Sequence, residues 1–203
     1  MPARRARATL PATRDPWLER WLALIGEKAG GAPILELGCG GGRDSATLAA
    51  AGHRVVGIDL SAGGIAKARA LVPSGAFHCQ DILSPFPVTD GSAGVVVASL
   101  SLHYFPWPET VALVARVRDV LGPQGVLLCR LNSTGDHNFG ASGHPEIAEN
   151  YFSVDGQPKR FFDRATVERL FASGWLTLAC SETLIDRYDL PKSVWEVVLE
   201  RVP

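Results

Sequence analysis

Apolar and polar positions alternate along this chain in two different rhythms. Short apolar runs at Pro33 to Leu37, Arg54 to Asp59, Ala76 to Gln80, Val95 to Ser99 and Gly125 to Leu131 are strand candidates. Between them lie stretches of helical character, roughly Arg43–Ala51, Ala62–Val72 and Pro108–Leu121, each with a stop signal at Gly52, at Pro73, and at Gly122 with Pro123. Strands apolar on both faces and joined by helices predict a parallel sheet covered on two sides, a doubly wound α/β fold. Asp15 to Lys28 reads as a preceding helix, with Asp15 placed to cap it, Pro16 at its first position, and Trp17, Trp21, Leu24 and Ile25 on one face. After Leu131 the alternation lapses, and residues 132–162 are polar, glycine-bearing and dotted with aromatics. Such a segment in a compact domain predicts a functional insert, here a lid. A last helix (Asp163 to Ala172) is followed by two β-rich runs, Trp175 to Ile185 and Val194 to Val202, which the short turn at Asp189–Pro191 joins as an antiparallel pair.

At 203 residues, 46% of them hydrophobic, the chain is expected to form a single domain with a sizeable core. The net charge of -1 gives no broad basic surface for phosphates, so nucleic acid is not an expected partner; the longest apolar run, Val95 to Leu102, is too short to cross a bilayer, so neither is a membrane. Residues 1–14 carry Arg4, Arg5 and Arg7 with no apolar run behind them and read as a basic tail rather than a secretory signal. The cysteines (Cys39, Cys79, Cys129 and Cys180) lack C-x-x-C spacing. They read as structural thiols of a cytoplasmic protein, with Cys79 and Cys129 as small buried hydrophobes in strands. No metal site is expected, since His137 and His144 would need a third ligand.

The chemistry concentrates in Ile34-Leu-Glu-Leu-Gly-Cys-Gly-Gly-Gly-Arg43, which runs from a strand into a helix. Gly38, Gly40 and Gly42 let the backbone turn tightly against a ligand. A dinucleotide fingerprint would place a small residue at 43, where arginine stands. Glu36 would repel a pyrophosphate and would favour an ammonium group. Asp59 closes the second strand, placed for the hydroxyls of a ribose, with Leu60 beside it. Asp81 follows the third strand, placed for an exocyclic amine, with Ile82 packing on the ring.

Together these residues resemble the class I methyltransferase family. Its acidic-glycine motif is matched by Glu36, Gly38, Gly40 and Gly42, its ribose ligand by Asp59, and its adenine-contacting acid by Asp81. The resemblance implies S-adenosylmethionine as cofactor and a mostly parallel seven-stranded sheet ending in an antiparallel strand pair. It also implies methyl transfer by in-line displacement. Gly41-Gly-Arg-Asp-Ser45 further resembles small bacterial methyltransferases related to tellurite-resistance enzymes, which implies a chalcogen acceptor. A nicotinamide-dependent oxidoreductase and a non-catalytic S-adenosylmethionine-binding module are the competing readings.

Ligands in such folds bind beyond the carboxyl ends of the strands. Ser99 at the end of the fourth strand therefore belongs with the cofactor residues, and His103 and Tyr104 just after it are expected to face the acceptor. His103 has an ordinary pKa suited to proton removal, though it can equally serve only to line the pocket. The run Ser99-Leu-Ser-Leu102 lacks the Asn/Asp-Pro-Pro-Tyr/Phe motif of base-amine methylation, so a small-molecule acceptor with an O, N, S or chalcogen nucleophile is expected. Its contacts would come from His137, Asn138, Tyr151, Lys159 and Arg160 in the lid, the last two suiting an anionic group.

Overall fold

The computed structural model describes residues 15–186 and 188–202; the basic tail lies outside them. A 3-10 turn at Glu19–Trp21 leads into helix α1 (Leu22–Ala29), and the chain then alternates through β1 (Ile34–Leu37), α2 (Arg43–Ala50), β2 (Val55–Asp59), α3 (Ala62–Leu71) and β3 (Ala76–Cys79). Strand β4 (Ala93–Ser99), helix α4 (Trp107–Val120) and strand β5 (Leu121–Asn132) follow. The chain next forms β6 (Glu146–Ala148), β7 (Tyr151–Val154), β8 (Gln157–Arg160) and helix α5 (Arg164–Leu170). It ends in β9 (Trp175–Ile185) and β10 (Lys192–Arg201).

Seven strands form one sheet in the order β3-β2-β1-β4-β5-β10-β9. The first five are parallel, and β10 is antiparallel to both of its neighbours. The doubly wound sheet with a C-terminal antiparallel pair is thus the observed fold.

Two apolar layers explain why these segments choose this arrangement. Along β4, Val95 and Val97 pack with Trp17, Ile25 and Leu48 on the α1–α2 side. Val96 and Ala98 pack on the opposite side with Val114 and Val117 of α4 and Val167 of α5. Side chains alternate across a strand, so a run apolar at every position must be covered on both faces. Strand β3 lies at the sheet edge and departs from the expectation for its cysteine. Cys79 is exposed, and only Phe77 of β3 is buried.

The N-terminal segment also departs from the reading. Helix α1 starts later than expected, and Asp15 does not cap it. Its carboxylate lies 2.7 Å from the guanidinium of Arg130, whose side chain is fully buried in β5. Segment 132–162, expected as a lid insert, contains a second sheet, β6-β7-β8. The β7–β8 hairpin turns at Asp155 and Gly156, both with positive φ, and an Asp-Gly pair is a strong sequence signal for such a two-residue turn. The hairpin is tied to the main body. Arg160 N–H donates to the His103 carbonyl at 2.7 Å, and Phe162 N–H to that of Asn132 at 2.8 Å. Among the described residues, no helix is long and apolar enough to cross a membrane.

Candidate active site

The carboxyl ends of the parallel strands open on a cavity of about 910 Å³. The loop after β1 shapes its floor. Gly38 has φ +73°, and a Cβ there would come within 2.5 Å of the Ser101 Cβ, so the loops after β1 and β4 touch only because this residue has no side chain. Gly42, with φ +81°, caps α2 and sits against α3, where a Cβ would lie 2.9 Å from the Ala68 Cα. These glycines build the turn, and of the three in the motif only Gly38 lines the cavity.

Asp59 is held from both sides at the end of β2. Gly40 N–H donates to its Oδ2 and Ser61 N–H to its Oδ1, each at 2.8 Å. Two oxygens carry about four lone-pair sites, so two remain for a ligand. Asp81 is fixed similarly, its Oδ1 accepting from Leu83 N–H at 2.9 Å. Both acids line the cavity with Leu60, Ile82 and Ser99. Leu60 is 71% exposed, an apolar surface standing at the cavity edge. Ser99 Oγ accepts from Arg130 Nε at 3.0 Å, which orients it.

Glu36 is placed elsewhere. Alternation along β1 turns its side chain, with that of Ile34, toward the α1–α2 face, where Ser45 Oγ–H of α2 donates to it. It is 3% exposed and does not line the cavity. A direct contact of Glu36 with a ligand in this cavity is therefore corrected to a buried link between β1 and α2.

Two acidic groups and two apolar side chains lining the cavity test the expected cofactor by charge and shape. A nucleoside carrying a cationic sulfonium and ammonium suits two carboxylates, whereas a pyrophosphate would be repelled by them. The residues present fit S-adenosylmethionine.

The same cavity also carries basic and aromatic groups. It is lined by His103, Tyr104, Phe139, Lys159, Tyr188 and Lys192, with Asn132 and Gln157. Lys159 has no ion pair among the described residues. Lys192 Nζ lies 2.7 Å from Asp136 Oδ2, whose side chain is fully buried, and 4.9 Å from the Phe139 ring centroid. Burial pulls the Lys192 ammonium down from its ordinary range; Asp136 opposes this, and Lys159 adds to it.

His103 is 3% exposed and packs on Tyr104 with ring centroids 4.1 Å apart. Burial, then the charges of Lys192 and Lys159, lower its pKa to about 3. The expectation of a histidine poised for proton removal is thereby revised, because at neutral pH this imidazole is uncharged and weakly basic. Burial likewise raises the Tyr104 phenol, which keeps its proton. Three buried polar atoms of cavity-lining residues have no hydrogen-bond partner among the described residues: Ser101 Oγ, His103 Nδ1 and Asn132 Oδ1. Such atoms are costly unless a ligand or solvent satisfies them.

Of the contacts expected from the insert, the structure brings only Lys159 into the cavity. His137 and Asn138 are exposed outside it, and the Asn138 side-chain amide donates to the Pro191 carbonyl at 2.7 Å. Tyr151 and Arg160 line a second, smaller cavity instead. Residues 159 and 160 are neighbours on β8, and successive strand residues point to opposite sides. Lys192 and Tyr188 were missed as cavity residues. The Asp189–Pro191 turn brings the flanking Tyr188 and Lys192 back over the cavity, and only the antiparallel pairing of β9 and β10 places them there.

The comparisons agree with the cofactor half of this picture. Residues 34–125 match a family model described as "Methyltransferase domain". A protein of Synechocystis sp. named an uncharacterized methyltransferase is 32% identical over 96 residues, 47% of this chain and 45% of its own length. A trans-aconitate 2-methyltransferase of Delftia acidovorans is 36% identical over 101 residues, 48% of this chain and 37% of its own length. The chain thus spans less than half the length of the curated relatives it matches. Among solved structures, a protein of Methanosarcina mazei described as a SAM-dependent methyltransferase superposes with a TM-score of 0.73 at 18% identity, covering 88% of this chain and 97% of that one. That likeness extends the shared fold over the C-terminal half.

Proposed function

We propose that this chain, which belongs to the class I S-adenosylmethionine-dependent methyltransferase family, transfers a methyl group from that cofactor to a small anionic acceptor. The reading rests on one observation. A single cavity is lined at once by Asp59 and Asp81 and by His103, Tyr104, Lys159 and Lys192.

On this reading Asp59 takes the ribose hydroxyls, Asp81 the adenine amine, and Leu60 and Ile82 supply apolar walls. When bound, the cofactor supplies an activated methyl on a sulfonium with a neutral leaving group. The protein's contribution is alignment, which can lower such a barrier by as much as ~7–11 kcal/mol. Burial leaves His103 a weak base, which favours an acceptor whose nucleophilic atom carries no proton that must leave. A carboxylate or an inorganic oxyanion meets that requirement. Lys159, with no ion pair, anchors its charge, the Tyr104 hydroxyl donates to it, and His103 positions it. Lys192, already neutralised by Asp136, adds a donor.

The trans-aconitate 2-methyltransferase of Delftia acidovorans bears a name compatible with an anionic acceptor, and trans-aconitate heads the panel. The test incubates the protein with methyl-labelled S-adenosylmethionine and three pools: small polycarboxylates, their amides, and tellurite. A fourth pool is whole metabolite extract, and products are read by mass spectrometry. Label in an acid or oxyanion product is expected. Label only in amides or other neutral acceptors would overturn the anionic acceptor. Cofactor binding with no labelled product from any pool would make the protein a binding module.

A further inference from the structure

Arg160 turns away from the main cavity, and its new surroundings define a second site. The cavity it enters measures about 330 Å³ and lies between the start of α4, the β6–β7 turn and α5. Arg160 is 5% exposed. Its guanidinium lies 4.6 Å from the Tyr151 ring centroid and 5.7 Å from that of Trp107. Arg169 of α5 lies over the same indole at 4.3 Å.

Neither arginine has an ion pair among the described residues. The hydrogen bond Arg160 makes from its guanidinium runs from Nη1 to the Glu149 carbonyl at 3.4 Å, and its buried Nε has no partner among the described residues. Glu149, the acid at the rim, is exposed. A guanidinium cannot shed its charge as a lysine can, and aromatic faces compensate it only in part. Two such groups sharing one indole, one of them buried, therefore leave a positive pocket with unused donors. Burial pulls the Arg160 group below its ordinary range; Tyr151 opposes this, and the like charge of Arg169 adds to it.

We propose that this cavity is a second binding site, for a small oxyanion of the carboxylate or phosphate type, gripped by Arg160 and Arg169 and separate from the acceptor chamber. Planar guanidinium groups suit both chemistries because each offers paired donors. The site is coupled to the acceptor chamber through two bonds. The Arg160 backbone N–H donates to the His103 carbonyl at 2.7 Å, and the Tyr151 hydroxyl donates to the Tyr104 carbonyl at 3.0 Å. An anion that seats Arg160 and Tyr151 thus bears on the two residues facing the acceptor, and linkage makes the effect reciprocal.

The full-length protein is titrated with inorganic phosphate and separately with succinate, at ionic strength held constant with chloride. The indole N–H resonance of Trp107, assigned by its loss in Trp107→Phe, reports on the site. A saturable shift with at least one of the two anions is expected, and which of them acts distinguishes the two sources. Arg169→Met, at an exposed helical position, should weaken the response about tenfold or more, with Arg169→Lys between it and wild type. Lys159→Gln, which weakens anion binding in the acceptor chamber, should retain a saturable Trp107 shift. No saturable shift with either anion, or an equal shift with chloride, would overturn the site. So would a response lost in Lys159→Gln and kept in Arg169→Met, since that places the anion in the acceptor chamber. The His103 ring resonances should move in the same titration; a shift confined to Trp107 would refute the coupling.

Discussion

Replacing Asp59 by alanine probes the cofactor half most directly, because this carboxylate has two duties that separate in measurement. Its first duty is internal. It accepts the backbone N–H groups of Gly40 and Ser61, each at 2.8 Å, and so pins the loop after β1 to the end of β2. The second is to receive the ribose hydroxyls on its remaining lone pairs. Losing the internal bonds, which are partly exposed, should lower the stability of the free protein by about 1–3 kcal/mol. In a chain of this size that is about 2–4 °C in Tm per kcal/mol. Losing the ribose bonds should weaken S-adenosylmethionine by about 1.5–3 kcal/mol, or ten- to a hundredfold in Kd. Calorimetric titration of Asp59→Ala with the cofactor, below its melting range, isolates the second quantity, and a melt of the free protein isolates the first. Asp59→Asn is the control for shape. It keeps the volume but turns one oxygen into a donor facing a backbone N–H, so it should bind no better than the alanine variant. A cofactor affinity unchanged in Asp59→Ala would refute the assignment even if the melt moved, since Asp59 would then be a loop clasp alone.

Three further predictions address the rest of the cavity and its support. Lys159→Gln should raise the acceptor KM about tenfold, the worth of one charge-assisted contact, while calorimetry finds cofactor affinity unchanged. His103 has a folded pKa of about 3 against an unfolded value of ~6.5. Its stabilising effect is therefore complete above about pH 6.5 and is lost as pH falls from there toward 3, because the unfolded chain binds the proton first. Wild-type Tm should fall with acid across that window more steeply than that of His103→Gln, measured by calorimetric melts. Asp15→Ala should destabilise the fold by about 3–5 kcal/mol, since it leaves the fully buried Arg130 guanidinium without its carboxylate. A thermal melt close to wild type would show that the pair is not what retains Arg130 in the sheet.

What could be read from the chain follows the range of the interactions involved. The central parallel strands announce themselves because they are buried on both faces, and the wide apolar runs around Val95 to Val97 and Val126 to Leu128 have no other use; β3, at the sheet edge, buries only Phe77. The glycine turn, Asp59 and Asp81 are equally local, each lying at or just beyond the end of a strand. Glu36 was misplaced because residue type says nothing of facing. Only its parity with Ile34 sends it toward α2 and Ser45. The same parity separates Lys159 from Arg160, adjacent in sequence and in different cavities. The hairpin that carries them was readable in principle from Asp155–Gly156. The depressed pKa of His103 was not, because it comes from burial and from lysines 56 and 89 positions away in the chain.

The mixed charge of the cavity bears on turnover as well as on binding. Two carboxylates line the cavity together with Lys159, which has no ion pair among the described residues, and Lys192, paired with Asp136. On the proposed reading the cofactor brings a positive charge and the acceptor a negative one, and the cavity holds fixed charges opposite to each. Methyl transfer to an anionic atom removes both charges at once: the sulfonium becomes a neutral thioether, and the anionic atom becomes neutral. Asp59 and Asp81, on the ribose and the adenine, then act from a distance on a cofactor product with one positive charge fewer, and Lys159 faces a neutral ester or its equivalent. Both products are therefore bound less tightly than the reactants they replace, by the same fixed charges that gathered them. A neutral acceptor would forgo half of this effect. Accordingly, S-adenosylhomocysteine should inhibit Lys159→Gln no more strongly than wild type, whereas a methyl ester product should bind both proteins alike. Tighter binding of the ester than of the free acid to wild type would contradict the division of charge on which the acceptor assignment stands.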